Sequence, residues 1–249
     1  MKLFLKNTVI AALLLTFSYG ADHHVHWSYS GSTGPKVWGD LDESYASCKT
    51  EKFQSPINIL DSETIKVNAN FSLKKTYANY SSNIVNNGHT VQVGFNGDNS
   101  LAFNDVDYKL IQLHFHTPSE NQVNGKSYPA EVHLVHKDSE GNILVIGIFI
   151  TEGKANPALQ SIIKAVPNKV NVTKPFKDIA LQTLLPQKMG YYEFQGSLTT
   201  PPCSGNVTWV VMQESIQASK SQLQALHKIL KDNARDIQPL NGRTVNVSY

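Results

Sequence analysis

Three histidines at alternating positions are the residues of this chain best suited to do chemistry. His114 and His116 are separated by one residue, and His133 follows in a second run of the same character. Because successive side chains of a β-strand point to opposite faces, His114 and His116 share a face of their strand. If the strand carrying His133 lies beside it, three imidazoles converge. Three neutral imidazoles with an open fourth position are typical of a catalytic zinc site, whereas the His-x-His pair alone is also compatible with an ordinary polar strand face.

Two polar residues each lie two positions before one of these histidines. Gln112 lies two positions before His114, and Glu131 lies two positions before His133. Side chains two apart on a strand share a face, so both can accept a hydrogen bond from a neighbouring imidazole and fix its orientation. For Glu131 the alternative is an exposed strand carboxylate.

The first twenty residues have the pattern of a secretory signal peptide. Lys2 and Lys6 form a charged start, residues 8–17 form an apolar run, and Ser18 and Gly20 supply small residues at a cleavage site. We therefore expect residues 1–20 to be removed after about Gly20, and the mature chain to be periplasmic or secreted.

Residues 21–249 carry no repeat or linker that would divide them, so we expect one domain with a large core. Without Lys2 and Lys6 the chain has equal numbers of basic and acidic residues, which gives no reason to expect a nucleic acid partner. No later segment has the roughly 18 uninterrupted apolar residues of a membrane span.

The chain has two cysteines, Cys48 and Cys203. In an exported protein an isolated pair predicts a disulfide, and two separately buried thiols are the alternative.

Short alternating or apolar runs separated by turn signals predict a sheet that is mostly antiparallel. The runs are 84–85, 90–95, 108–116, 130–136, 143–151, 191–195 and 207–212. Two helices are predicted, one starting at Asn156-Pro157 and one over about 219–231, both peripheral to the sheet.

Several separated motifs, taken in order, resemble one known family. They are His26-Trp27-Ser28-Tyr29, Gln54-Ser55-Pro56-Ile57-Asn58-Ile59, Asn87-Gly88-His89, His114-x-His116, Glu131-x-His133, Leu198-Thr199-Thr200-Pro201-Pro202-Cys203 and Gln238-Pro239-Leu240-Asn241-Gly242-Arg243. This set closely resembles the α-class carbonic anhydrases, and the bacterial periplasmic branch is the nearest match. The resemblance covers essentially the whole of residues 21–249.

The resemblance implies a fold and a reaction. The fold would be a single mainly β domain with a large, twisted, mostly antiparallel central sheet and short peripheral helices. The reaction would be reversible hydration of carbon dioxide to bicarbonate and a proton by attack of zinc-bound hydroxide. His114, His116 and His133 would bind one Zn²⁺ per chain, with Gln112 and Glu131 behind them.

The resemblance also implies roles for residues that the pattern alone does not select. Thr199 would accept a hydrogen bond from the hydroxide and donate one to Glu120, and Thr200 would line the substrate side. His89 would be the proton shuttle, since a histidine with a pKa near 6.5 in a cleft can pass protons to buffer. Polar positions that order water would be Tyr29, Asn87 and Gln92. The apolar wall for carbon dioxide would consist of Val135, Val145, Leu198, Val207 and Trp209.

By the same resemblance, sulfonamides and anions are expected to inhibit, and relatives of this branch are often dimers. Two other function classes share part of this pattern. A carbonic-anhydrase-related binding module without activity would have lost a zinc ligand, and all three are present here. A cupin-type metal oxygenase is suggested by the spacing of His114, His116 and Glu120, but the glycine before the first histidine and the second motif of that family are absent.

Overall fold

A computed structural model of the chain describes residues 25–67, 71–73, 77, 80–97 and 99–249. The predicted signal peptide lies outside these residues. The strands are β1 Asn58–Ile59, β2 Ile65–Lys66, β3 Phe71–Leu73, β4 Asn83–Asn86, β5 Val91–Gly94, β6 Ser100–Phe103, β7 Val106–His116, β8 Gln122–Val123, β9 Ala130–Lys137, β10 Ile143–Glu152, β11 Thr173–Pro175, β12 Tyr191–Gly196, β13 Val207–Met212, β14 Ile216–Ala218 and β15 Asn246–Ser248. The α-helices are α1 Trp38–Leu41, α2 Ser47–Thr50, α3 Pro157–Ala165 and α4 Lys220–Leu230, and 3₁₀ turns occupy Gly31–Thr33, Pro35–Val37, Glu43–Tyr45, Asp61–Glu63 and Leu181–Leu184.

One large sheet organises the described residues. Its strands follow the order β11-β4-β5-β7-β9-β10-β13-β12-β15-β2, with β6 and β14 attached to β7 and β10, and β3 attached to β6. Most pairings are antiparallel, but β10 runs parallel to β13 and β14, and β15 runs parallel to β2. The predicted mainly β fold is confirmed, and its sheet is mixed.

Both predicted helices are confirmed, and each begins at a capping side chain. The Asn156 side chain accepts a hydrogen bond from the Leu159 N–H at the start of α3. Ser219 and Gln222 form a reciprocal capping box at the start of α4. These caps satisfy amide groups that would otherwise lack partners in the first helical turn.

The central strands carry apolar side chains on both faces and so separate two cores. On one face Leu113, Phe115, Val132 and Leu134 belong to the larger apolar cluster, against which α3 and α4 pack. On the other face lies a smaller cluster around Trp209. The three histidines alternate with the residues of the larger cluster, so they project from the face that carries the smaller one.

No helix within the described ranges is long and apolar enough to cross a bilayer.

Candidate active site

The pairing of β7 with β9 brings the three histidines together. His114 lies directly opposite His133, and His116 lies opposite Glu131. One ring nitrogen from each histidine lies within 4.8 Å of the others. The convergence predicted from alternation is therefore present, because the two strands are neighbours and in the register that aligns their polar positions.

A partner on one nitrogen orients each imidazole and leaves the other nitrogen available. His114 Nδ1 lies 2.8 Å from Gln112 Oε1, and His116 Nδ1 donates to the Asn233 carbonyl oxygen at 2.7 Å. His133 Nε2 lies 3.0 Å from Glu131 Oε1. The opposite nitrogen of His116, Nε2, is buried and has no hydrogen-bond partner among the residues that the structure describes. A buried nitrogen with a free lone pair is costly unless it binds something, and a metal ion is the ligand such a group suits.

Burial keeps the imidazoles of His114 and His116 neutral, the form in which histidine binds metal. Desolvation lowers the pKa of His114 well below its ordinary value, with the neighbouring His116 and His133 acting in the same direction. Desolvation likewise lowers the pKa of His116 to about 4, although its hydrogen bond to Asn233 opposes the shift. The three residues therefore fit a divalent metal in donor type and spacing, and His114 and His116 also in protonation state.

Glu131 is fully buried and held from several sides, contrary to an exposed strand carboxylate. Its Oε2 accepts the backbone N–H groups of Glu120 and Asn121, and its Oε1 accepts from Asn121 Nδ2, all within 2.9 Å. Burial opposes ionisation, but His133 and the bonds from Asn121 hold the pKa of Glu131 below its ordinary value. Gly147 leaves the space that this carboxylate needs, because a Cβ there would lie 2.8 Å from Glu131 Oε1.

Glu120 and Thr199 lie together beside the histidines. Glu120 Oε2 is 3.4 Å from His116 Nε2, and Glu120 Oε1 accepts the backbone N–H of Arg235 at 3.0 Å. Burial raises the pKa of Glu120 to about 7, against His133 and the hydrogen bonds from Thr199 and Arg235, which lower it. A divalent cation on the histidines would favour the carboxylate further by its charge.

A cleft of about 110 Å³ leads to the histidines. It is lined by Trp27, Tyr29, Asn87, His89, Thr90, Gln92, Gln112, His114, His116 and Thr200. The residues expected as shuttle, water-ordering positions and substrate-side threonine thus share one cleft with two of the candidate ligands. Burial raises the pKa of Tyr29, so its phenol is protonated at neutral pH.

His89 is half-buried at the cleft wall and stacks on the indole of Trp27, with ring centroids 3.7 Å apart. Burial lowers its pKa, and the nearby His26 acts in the same direction. A neutral imidazole facing a water-accessible cleft can accept a proton.

The five residues expected to form an apolar wall lie together on the histidine face. Val135, Val145, Val207 and Trp209 belong to the smaller core cluster, and Leu198 packs against it. The Trp209 ring meets the His133 ring edge to face at 4.8 Å between centroids.

The predicted disulfide between Cys48 and Cys203 is confirmed. It closes a loop of 155 residues, and such bridges typically add ~2–4 kcal/mol to the free energy of unfolding. The Cys203 carbonyl accepts from Gln54 Nε2, and the Cys203 N–H donates to the Thr200 carbonyl. The bridge therefore anchors the loop that carries Thr199.

Four residues of the site were missed in the sequence. Asn233 and Arg235 contact His116 and Glu120 from the segment after α4, Asn121 holds Glu131, and Trp27 stacks on His89. Trp27 lies in a motif that carried the resemblance, which was a usable signal. The other three gave no such signal. Their partners lie from ten to more than a hundred positions away along the chain, and no local pattern in the sequence connects residues so far apart.

Comparison with known proteins agrees with this geometry. A profile of the eukaryotic-type carbonic anhydrase family matches residues 33–249. A carbonic anhydrase of Pectobacterium atrosepticum is 40% identical over 246 residues, covering 97% of this chain and 99% of its own length. One from Neisseria gonorrhoeae is 39% identical, covering 96% of this chain and 95% of its own. The solved structure of the α-carbonic anhydrase from Thermovibrio ammonificans with the inhibitor sulfanilamide is 42% identical and covers 89% of this chain and 98% of its own, with a TM-score of 0.83. The chain therefore belongs to the eukaryotic-type, or α-class, carbonic anhydrase family.

Proposed function

We propose that this protein catalyses the reversible hydration of carbon dioxide with one Zn²⁺ held by His114, His116 and His133. The observation that carries the proposal is the convergence of three imidazoles whose other nitrogens lie within 3.0 Å of oxygens of Gln112, Asn233 and Glu131. In carbonic anhydrases, zinc on three histidines lowers the pKa of a coordinated water to about 7 and so supplies a nucleophile at neutral pH.

The side chains around the three histidines would orient the nucleophile, contact the substrate and order water. A divalent cation on the histidines would keep Glu120 ionised, and a carboxylate accepts hydrogen bonds but has none to give. Thr199 therefore turns its hydroxyl proton toward Glu120. The Thr199 oxygen is then an acceptor, which orients the attacking water toward the substrate carbon. Thr200 lines the adjacent part of the cleft, and the apolar cluster around Trp209 suits an uncharged substrate. Tyr29, Asn87 and Gln92 line the same cleft and would order the water between the histidines and His89.

Metal analysis combined with a carbon dioxide hydration assay tests the function directly. We expect one zinc per purified chain, rapid hydration, loss of activity on dialysis against a strong chelator, and recovery on adding Zn²⁺. A sulfonamide such as sulfanilamide should inhibit the loaded enzyme by occupying the site. A protein that folds normally and binds zinc but does not accelerate hydration would instead be a binding module, and a protein without zinc would contradict the metal assignment.

His89 is expected to export the proton and to take no part in the attack on carbon dioxide. The His89→Ala variant should lower kcat by about tenfold or more in dilute buffer while leaving kcat/KM nearly unchanged, because general acid–base transfer by a positioned side chain contributes ~10²–10⁴-fold where it limits the rate. Added imidazole should restore much of the loss. Stopped-flow hydration rates at several buffer concentrations measure both parameters. An unchanged kcat, or a parallel fall in kcat/KM that imidazole does not relieve, would contradict the shuttle role.

We further propose that residues 1–20 are a signal peptide removed after about Gly20, that residues 21–249 form the catalytic domain, and that the protein is periplasmic or secreted. The disulfide supports this, since such bridges persist in oxidising compartments outside the cytoplasm. Mass spectrometry of the exported protein gives its N-terminus directly.

A further inference from the structure

Asn233 is hydrogen-bonded both to the candidate metal ligand His116 and to the candidate shuttle His89. It follows α4 by three residues and is 1% exposed. Its backbone carbonyl accepts the Nδ1 proton of His116, and its backbone N–H donates to the Thr117 carbonyl at 3.1 Å. The segment after α4 thus runs along the end of β7 and is fixed to it.

The Asn233 side chain bonds both the end of β7 and the turn that carries His89. Its Nδ2 donates to the carbonyl oxygens of His89 at 3.0 Å and Phe115 at 2.9 Å, and its Oδ1 accepts the Thr117 N–H at 2.8 Å. The two carbonyls require a donor and the N–H requires an acceptor, so these partners determine which side-chain atom of Asn233 is the nitrogen and which is the oxygen. Every hydrogen of this amide is used.

No other residue type of similar size could make these three bonds. Aspartate would place an oxygen against two carbonyl oxygens, and leucine would leave all three backbone groups without this partner. The backbone of His89 is held from its other side as well, because Asn87 Oδ1 accepts its N–H at 3.0 Å. The shuttle histidine is therefore fixed on both its N–H and its carbonyl.

We propose that the Asn233 side chain is a positioning residue for proton transfer, which holds the His89 backbone in place relative to the metal ligand His116. This inference rests on the proposed shuttle role of His89. The Asn233 side chain also bonds Phe115 and Thr117, on either side of His116, so an effect on the ligand has to be measured separately from an effect on the shuttle. The value of kcat/KM reports on the ligand, and kcat in dilute buffer reports on the shuttle.

The test is a double-mutant cycle in the zinc-loaded enzyme with Asn233→Ala, His89→Ala and the combined variant. Asn233→Ala should lower kcat in dilute buffer by about tenfold, because a displacement of about 1 Å in a proton carrier is costly, and leave kcat/KM within about twofold. Imidazole should restore the loss. In the His89→Ala background, the second substitution should cause no further fall in kcat.

Gln222→Ala is the matched control, since Gln222 is also a buried amide with bonds to three backbone groups, at Asn156 and Ser219. It should leave kcat unchanged. In metal-free protein, the imidazole carbon–proton NMR signal of His89, identified by its loss in His89→Ala, should move in Asn233→Ala and stay in place in Gln222→Ala. If Asn233→Ala does not fold, Asn233→Leu fills the same volume and removes the same two donors without adding a charge.

The failures are distinguishable. If Asn233→Ala lowers kcat/KM together with kcat, or lowers kcat equally with and without His89, the residue acts through the ligands or the fold, and this inference is wrong while the shuttle assignment stands. If His89→Ala itself leaves kcat unchanged, the shuttle assignment is wrong, and this inference is wrong with it.

Discussion

The His116→Ala variant is expected to lose most of its hydration activity and its tight hold on zinc. His116 is 1% exposed, and its Nε2 has no hydrogen-bond partner within the described structure, so its removal leaves two imidazoles and a cavity where a third donor stood. Substituting only the hydrogen-bond partner of a metal ligand costs ~10–100-fold in affinity or activity, so loss of the ligand itself should cost more than ~100-fold in kcat/KM.

Zinc content after dialysis against a chelator and stopped-flow hydration rates measure the two effects separately. His227→Ala is the matched control, because His227 is an exposed histidine on α4, far along the chain from β7 and β9. It should keep full zinc and full rate. A His116→Ala enzyme that retained both would refute the assignment of the metal site.

Glu120→Gln is expected to impair the reaction without removing the metal. The amide has the shape of the carboxylate, and its oxygen can still accept the Arg235 N–H. Its NH₂ group, however, donates toward Thr199, so the threonine proton no longer has to point at residue 120. The Thr199 oxygen is then no longer reserved as an acceptor for the attacking water. We expect kcat/KM to fall by ~10²–10³-fold, the range seen when one oriented hydrogen bond at a reacting centre is lost.

Zinc content should remain at one per chain in this variant, which distinguishes an orienting role from a structural one. Glu152→Gln, at the exposed end of β10, is the control and should behave like the unaltered enzyme. Loss of zinc in Glu120→Gln would show that the carboxylate supports the ligands, and an unchanged kcat/KM would show that it does not orient Thr199.

The strand alternation in the sequence was sufficient to predict which side chains share a face. Residues 112, 114 and 116 on β7 and residues 131 and 133 on β9 lie as expected, because alternation is a local property of an extended backbone. The two longer helices were predicted for the same reason, since capping residues and apolar spacing are local. The roles of Thr199, Glu120 and His89 came from the resemblance, because no local pattern distinguishes them from ordinary polar residues.

Local pattern could not decide how the faces are used. His136 follows His133 by three residues on the same strand, so alternation places it on the opposite face, where it is buried against the Tyr77 hydroxyl. Its difference from His133 depends on what each face packs against, which alternation alone does not give.

The sequence by itself determined the sheet-rich fold, the histidine set and the cysteine pair. Only the tertiary structure decided that β7 and β9 pair in the register that aligns His114 with His133, and that the segment after α4 returns to hold His116, Glu120 and His89. The bonds of Asn233 and Arg235 join residues more than a hundred positions apart. Such contacts depend on how the whole chain packs. Folding removes water from the polar groups that make them, and these groups then need hydrogen-bond partners within the protein.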